Sequence, residues 1–164
     1  MLINQELLSQ YFSPLNELPC WNATAEYGSW IRLQFGAPHL NIREGNPAST
    51  ISGMKRRAVF VAGDFELWIE MGAWEMFDNG KRVFHSEQSR NHLRRAAGRL
   101  NGQKLLKVEL VAQSMTTLFV FDEGTQLNVH ATTDAKPDEP LWHVYSAGDC
   151  LTLFTSGNCK TGEC

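Results

Sequence analysis

Short segments in which apolar and polar residues alternate recur along the chain and predict β-strands. Because successive side chains of a strand point to opposite faces, each alternation separates a core face from a second face. The clearest case is residues 65–71. Its expected core face carries Phe65, Leu67, Ile69 and Met71, and its other face carries Glu66, Trp68 and Glu70.

Turn residues such as glycine, asparagine and proline separate the other segments that predict strands. These segments are residues 20–26, 30–35, 39–43, 58–61, 74–77, 81–84, 105–112, 115–121, 126–131, 141–146 and 150–155. In residues 39–43, Leu40 and Ile42 share one face of the strand. Short turns, for example at residues 78–80 and 147–149, favour pairing between strands that follow each other in sequence. We therefore expect a mainly antiparallel sheet of about ten strands, arranged as a sandwich or a partly open barrel.

Two helices are predicted beside the strands, which makes the fold class α+β and rich in β-structure. Asn4 can cap a short N-terminal helix that ends at Ser13-Pro14. Ser86 or Ser89 can cap a second helix that ends at Asn101-Gly102. Its apolar stripe is Leu93, Ala96, Ala97 and Leu100, and its opposite face carries Arg90, Arg94, Arg95 and Arg99. We expect the stripe to pack on the sheet and the arginines to reach solvent.

Composition fits one globular domain. The chain has 164 residues, of which 43% are hydrophobic and 20% charged, values close to globular averages. We expect residues 1–156 to form a single domain and residues 157–164 to be a frayed tail. The acidic Glu6 near the N-terminus and the lack of an apolar leader predict a cytoplasmic protein. No apolar run approaches the length of a membrane span, so a membrane partner is not expected.

The formal net charge is only −3, but the basic residues are concentrated in residues 81–107. Clustered arginines on the second helix raise one alternative function, binding of nucleic acid or another polyanion. A sequence pI of about 5.9 and the lack of aromatic residues among those arginines argue against it. Nucleic acid is therefore not our favoured partner.

The sequence contains no recognisable catalytic motif, and we predict no catalytic residue and no cofactor. Metal-ligand spacings such as Cys-x-x-Cys or His-x-x-x-His are absent, so no metal is predicted. No glycine-rich phosphate loop and no Gly-x-Ser-x-Gly sequence is present. The four cysteines are expected to be free thiols in a reducing compartment; they are Cys20, Cys150, Cys159 and Cys164.

Two groups of residues are candidates for a binding site. The first is Trp68 between Glu66 and Glu70, which could anchor a protein partner if no second layer covers that strand face. At about 13 Å apart, the two acids are too distant for paired-carboxylate glycosidase chemistry, and we expect them to be solvated. The second group would form the site of a small enzyme or ligand binder if the fold brought it together, and it comprises His39, Arg43, His130 and His143.

Several blocks of the sequence resemble a family of small bacterial cytosolic proteins of unknown function. The blocks include residues 19–22, 28–36, 38–40, 42–44, 63–74, 118–122 and 141–145. This resemblance implies a bacterial cytosolic source and carries over no catalytic residue. Immunity proteins that neutralise toxins belong to the same general class of small acidic β-rich proteins. Our leading hypothesis is a noncatalytic protein-binding module, immunity-like in its role, with a homo-oligomer as a further alternative.

Overall fold

A computed structural model describes residues 1–146 and 148–162. It is mainly antiparallel sheet with two helices, so the predicted fold class is confirmed. The helices are α1 (Gln5–Phe12) and α2 (Arg90–Leu100), and short 3₁₀ turns lie at Ser13–Leu15 and Ser52–Lys55. The strands are β1 (Trp21–Ala25), β2 (Ile31–Phe35), β3 (His39–Arg43), β4 (Ala58–Ala62), β5 (Phe65–Ile69), β6 (Ala73–Asp78), β7 (Lys81–His85), β8 (Leu105–Val111), β9 (Thr116–Phe121), β10 (Thr125–His130), β11 (Pro140–Ser146), β12 (Asp149–Phe154) and β13 (Cys159–Gly162).

Two large antiparallel sheets form a sandwich. One has the strand order β1-β2-β5-β11-β12-β13, and the other has the order β7-β6-β10-β9-β8. Trp142 of β11 meets Phe119 of β9 across the core, with ring centroids 6.1 Å apart. The indole Nε1 of Trp142 also donates to Thr117 Oγ1 at 3.0 Å. These contacts join two separate sheets face to face, which corresponds to the sandwich of the two predicted architectures; neither sheet closes into a barrel within the described strands.

Both helices are confirmed, and their apolar faces are buried as predicted. Asn4 caps α1 by accepting a hydrogen bond from the Leu7 amide at 2.8 Å. The stripe of α2 lies against β1, and its four predicted apolar residues are buried. Ser89 is the N-cap residue of α2. In the described part of the chain, no helix has the length and apolar character that a bilayer span requires.

β2 and β5 are the inner half of one long, bent hairpin. β2 continues through residues 36–38 into β3, and β4 continues through Gly63 and Asp64 into β5. At the bend Gly36 has a φ of +78°, a conformation that favours glycine. The outer half of the hairpin is the two-stranded β3–β4 sheet with its connecting loop, residues 39–62, which we name the arm.

Two local predictions were wrong. Met71, expected in the core, is 42% exposed because β5 ends at Ile69. Residues 159–162, expected to fray, form β13 and pair with β12. The amide of Cys159 donates to the Met1 carbonyl at 2.7 Å, so the N-terminus also holds this segment. Ala147 of the predicted 147–149 turn, and Glu163 and Cys164 of the predicted tail, lie outside the described residues.

The prediction that every cysteine is a free thiol was wrong at Cys150. Cys20 and Cys159 are free and buried. Cys150, on β12, is disulfide-bonded. Since disulfides persist chiefly in oxidising environments, this bond does not support the reducing compartment on which the prediction was based.

Candidate functional site

The face of the six-stranded sheet that points away from the core carries a mixed aromatic and charged cluster. Strand pairing places its members in two neighbouring rows that cross β2, β5, β11 and β12. One row contains Arg32, Trp68, His143 and Thr152, and the other contains Gln34, Glu66 and Tyr145. We name these seven residues, together with Glu70 from the end of β5, the outer-face cluster.

The charges on the β2 and β5 side of this cluster are paired with each other. Arg32 Nε and Gln34 Nε2 both donate to Glu66 Oε1. The other amide atom of Gln34, Oε1, accepts from the Gly63 backbone amide at 2.8 Å. The guanidinium of Arg32 also lies 4.9 Å from the centre of the Trp68 ring, in a cation–π contact. Arg32 therefore balances the charge of the Glu66 carboxylate without a ligand.

His143 links a hydroxyl and a carboxylate within the same cluster. Its Nδ1 lies 2.7 Å from Thr152 Oγ1, and its Nε2 lies 3.4 Å from Glu70 Oε2. Its ring stacks on Tyr145 with centroids 5.7 Å apart. A hydroxyl, an imidazole and a carboxylate in this order are also the parts of a catalytic triad. However, Thr152 is only 6% exposed and is not among the residues that line the neighbouring cleft.

An open cleft of about 850 Å³ lies between the outer-face cluster and the arm. The sheet contributes Arg32, Trp68 and Tyr145 to its walls, and the arm contributes His39 and Phe60. Burial raises the pKa of Tyr145, and the nearby Glu70 and Glu66 raise it further. The Tyr145 phenol is therefore a neutral hydrogen-bonding group at physiological pH. Within the described residues, Trp68 Nε1 is buried without a hydrogen-bond partner.

The structure brings the first predicted group of site residues to this cleft. Glu66 and Trp68 line it, while Glu70 contacts His143 beside it. The expectation that the two acids are solvated was wrong, since their side chains are only 16% and 14% exposed; Glu66 pairs with Arg32, and Glu70 lies 3.4 Å from His143. Trp68 does not lie on an uncovered sheet face either, because the arm covers part of that face.

The second predicted group does not come together. His39 lines the cleft, and His143 belongs to the outer-face cluster. Arg43, at the far end of β3, donates to the Gly53 carbonyl at 3.1 Å. His130 is on β10 of the opposite sheet, where it pairs with Ala73. These four residues therefore form no single pocket.

Most of the predicted arginine surface on α2 is engaged within the molecule. Arg90 caps the β1–β2 turn by donating to the carbonyls of Ala25 at 2.7 Å and Gly28 at 3.0 Å. Arg99 Nη2 lies 2.6 Å from Asp78 Oδ2. The guanidinium of Arg95 lies 5.9 Å from the ring centre of Phe84. In the described part of the chain, Arg94 is the one helix arginine that is exposed without such a contact.

The thiols and the metal-ligating side chains do not supply an alternative centre. Burial raises the pKa of Cys20 to about 12, and its Sγ donates to the Leu100 carbonyl at 2.7 Å. Burial also raises the pKa of Cys159. Both thiols are thus protonated and poor nucleophiles at neutral pH. Among residues 1–146 and 148–162, no group of three or more His, Cys, Asp or Glu side chains is placed to hold a metal ion.

The arm carries an exposed apolar face that the sequence did not identify as a candidate site. Its outward face, which we name the aliphatic face, consists of Leu40, Ile42, Val59 and Val61. They are 69%, 57%, 56% and 48% exposed. The alternation in residues 39–43 predicted that Leu40 and Ile42 share a face. Nothing in the pattern distinguished an exposed apolar face from a core face.

No protein-family model, curated protein or solved structure matches this chain. The proposed resemblance to a family of bacterial cytosolic proteins therefore stays a prediction, and the site is interpreted from its own geometry.

Proposed function

We propose that the chain is a noncatalytic protein-binding module whose docking surface is the aliphatic face of the arm. The observation that carries this proposal is the exposure of all four side chains of that face. Soluble monomers rarely leave contiguous apolar surface uncovered unless it binds something. Docking of a partner would remove these side chains from water and stabilise the complex.

The architecture of the arm supports the same proposal. A hairpin of two strands is marginally stable in water unless a further layer packs on it. The inward face of the arm borders the cleft through Phe60 and His39, but its aliphatic face has no covering layer among the described residues. A partner on that face would supply the missing layer.

Charge indicates the chemistry of the partner. Residues 39–62 contain four basic residues and one acid, Glu44, and their net charge is +3, against −3 for the whole chain. Lys55 and Arg56 are exposed, and within the described residues neither makes an ion pair or a side-chain hydrogen bond. Complementary charge speeds association and disfavours wrong partners. We therefore expect a partner surface that combines aliphatic side chains with a rim of Asp and Glu.

The outer-face cluster supports the noncatalytic part of the proposal. A general base or nucleophile must be within reach of a substrate atom and free to react. Here Arg32 pairs with Glu66, the Thr152 hydroxyl next to His143 is buried, and the free thiols are protonated. These contacts hold β2, β5, β11 and β12 together under the arm.

The test is affinity capture from an extract of the source organism with matched variants. Leu40→Lys combined with Val61→Lys, which we call the arm variant, places two charges on the aliphatic face. Gln113→Lys combined with Thr133→Lys adds the same charge at exposed positions of other loops. A partner captured in stoichiometric amounts by the wild type and the control, and lost with the arm variant, supports the proposal. Equal capture by all three proteins, or no captured partner, contradicts it.

An immunity-like role in a bacterial cytoplasm is the particular form of this proposal that the sequence suggested. In that role the captured protein is a toxin, and its gene would stand beside the gene of this chain. Inhibition of the purified toxin by the wild type, but not by the arm variant, would support the role. Isolation of the chain alone under gentle conditions, with no toxin-like gene adjacent, would count against it.

Binding of a small molecule in the cleft is a second candidate function. The supporting observation is the cleft's volume of about 850 Å³, which is within the range of about 300–1,000 Å³ typical of ligand pockets. Its aromatic lining by Phe60, Trp68 and Tyr145 is also suitable for a flat ligand. A thermal-shift screen of small aromatic compounds tests it. Stabilisation that is lost in Phe60→Ala supports this function, and no stabilisation by any compound contradicts it.

A further inference from the structure

The edge of β4 is an unpaired and unprotected strand edge. Among the described residues, β4 pairs only with β3, and no backbone hydrogen bond runs from residues 58–62 to another element. Half of its backbone amides and carbonyls therefore point away from β3 without a strand to receive them. Its sequence is Ala-Val-Phe-Val-Ala, without a charge or a proline.

Other sheet edges carry the usual protection against strand pairing. β7 begins with Lys81 and Arg82, and β8 carries Lys107 and Glu109. β13 has only four residues and includes Lys160. β1 is covered by α2. The edge of β4 differs from all of these, which makes it the strongest candidate for strand addition.

We propose that β4 pairs with β4 of a second copy of this chain, antiparallel about a two-fold axis at Phe60. The strand Ala58–Ala62 is a palindrome around Phe60. Antiparallel self-pairing in this register places Val59 opposite Val61 of the partner subunit, and Ala58 opposite Ala62 of the partner subunit. Each residue thus meets the same or a matching side chain, as a closed two-fold interface requires.

The same register makes the flanking charges complementary. It places Arg56 opposite Asp64 of the partner subunit, and the two-fold axis repeats this pair. Arg56 is exposed and has an extended backbone, with φ −108° and ψ 151°, so the strand direction continues to it. Asp64 lies at the bend just after β4; its Oδ2 accepts from the Ala37 amide at 2.7 Å, and its side chain is still 52% exposed. Opposite charges that face each other across strands stabilise their pairing.

Self-pairing would also supply the neighbouring strand that the free edge of β4 lacks. It would convert two marginal hairpins into one four-stranded sheet, β3-β4-β4-β3, and satisfy the free backbone groups of both edges. It would also join the two aliphatic faces into one surface of eight side chains on the same side. The palindrome gives a second copy of β4 a matching side chain at every position of this register. This inference concerns the edge of the arm and does not rest on the docking of a partner on its aliphatic face.

Sedimentation equilibrium from micromolar to millimolar concentration tests the pairing with the full chain. Arg56→Glu places an acid opposite Asp64 of the partner subunit. Lys55→Glu makes the same charge change one residue earlier, away from that position. We expect the wild type to form a dimer, Arg56→Glu to weaken dimerisation about tenfold, and Lys55→Glu to change it less than about threefold.

Hydrogen exchange measured at low and high protein concentration locates the interface. We expect the amides of residues 58–62 to exchange more slowly at high concentration, while those on the free edge of β3 do not change. A monomer at every concentration would overturn the proposal. So would a dimer that responds equally to both variants, or one whose added protection lies on β7, β8 or β13. Each of these results would leave the capture experiment on the aliphatic face unaffected, so the two proposals can fail separately.

Discussion

β3, in the outer half of the long hairpin, has the same alternating pattern as β2 and β5 in the inner half, but opposite surroundings. In the inner half, Leu33 and Leu67 alternate with polar residues and are fully buried. In β3, Leu40 and Ile42 alternate with polar residues in the same way and are 69% and 57% exposed. The strands are continuous apart from the bend at residues 36–38 and 63–64. The difference arises because the five-stranded sheet covers the inner half and nothing in the described chain covers the outer half.

This comparison shows that alternation determines which residues share a face, while the covering layer determines whether that face is a core. Hydrophobic stabilisation depends on area removed from water. The inner half therefore contributes to folding through burial, whereas the four side chains of the aliphatic face stay exposed in the described chain.

The largest expected effect contrasts the two halves directly. Leu33→Ala should lower the free energy of unfolding by about 2–5 kcal/mol, because it removes buried methyl groups and leaves a cavity. Leu40→Ala, the same change in the outer half, should lower it by less than about 1 kcal/mol. Urea denaturation of both variants measures the difference. Similar losses in the two variants would show that the aliphatic face is covered in solution by its own chain.

The bend between the halves gives the next largest effect. A Cβ at Gly63 would lie against the Phe35 backbone carbonyl oxygen, well inside contact distance, so the backbone would have to move. Gly63→Ala should therefore cost about 2 kcal/mol of stability. Gly53→Ala, in the loop of the arm, is the control, since a Cβ there has nothing within 4 Å. Equal thermal stability of the two variants would show that the bend is not held as described.

Most of the fold could be predicted from the sequence because its signals are local. The cap at Asn4, the start of α2 at Ser89, the stripe of α2 and the order of hairpins follow from residues close in sequence. β13 was missed because its stability comes from pairing with β12 and from the distant Met1 carbonyl. Neither contact leaves a pattern in residues 157–164.

The candidate site was less predictable because it depends on which layer covers which face. Alternation correctly placed Glu66, Trp68 and Glu70 on the face opposite the core. It could not show that Arg32 and His143, from neighbouring strands, pair with those acids. The exposure of Val59 and Val61 could not be predicted either, since this exposed face carries the residue types of a buried strand.

A smaller effect is the pH dependence of stability caused by the buried Cys20 thiol, which tests how well the core excludes water. The pKa of Cys20 rises from 9.0 to about 12 on folding, because burial disfavours the thiolate. The unfolded chain thus loses this proton at lower pH than the folded protein. The resulting stability is fully present below pH 9.0 and is lost as the pH rises from 9.0 towards about 12.

Comparison of the wild type with Cys20→Ala isolates this contribution. Above the unfolded pKa, the free energy of unfolding of the wild type should fall more steeply, by at most about 1.4 kcal/mol per pH unit. Denaturation at a series of pH values between neutral and moderately alkaline solution measures both slopes. Parallel profiles for the two proteins would indicate that the thiol is not shielded from water in the folded state.

The smallest expected change in stability belongs to the variant that should most affect function. Leu40→Lys combined with Val61→Lys should unfold within about 1 kcal/mol of the wild type, because both side chains are solvated in the free chain. The same variant should bind less of a dye that fluoresces on exposed apolar surface. Gln113→Lys combined with Thr133→Lys should change neither property. A large loss of stability in the arm variant would mean that its aliphatic face already packs within the folded chain, and the division between a folding half and a binding half of the hairpin would be wrong.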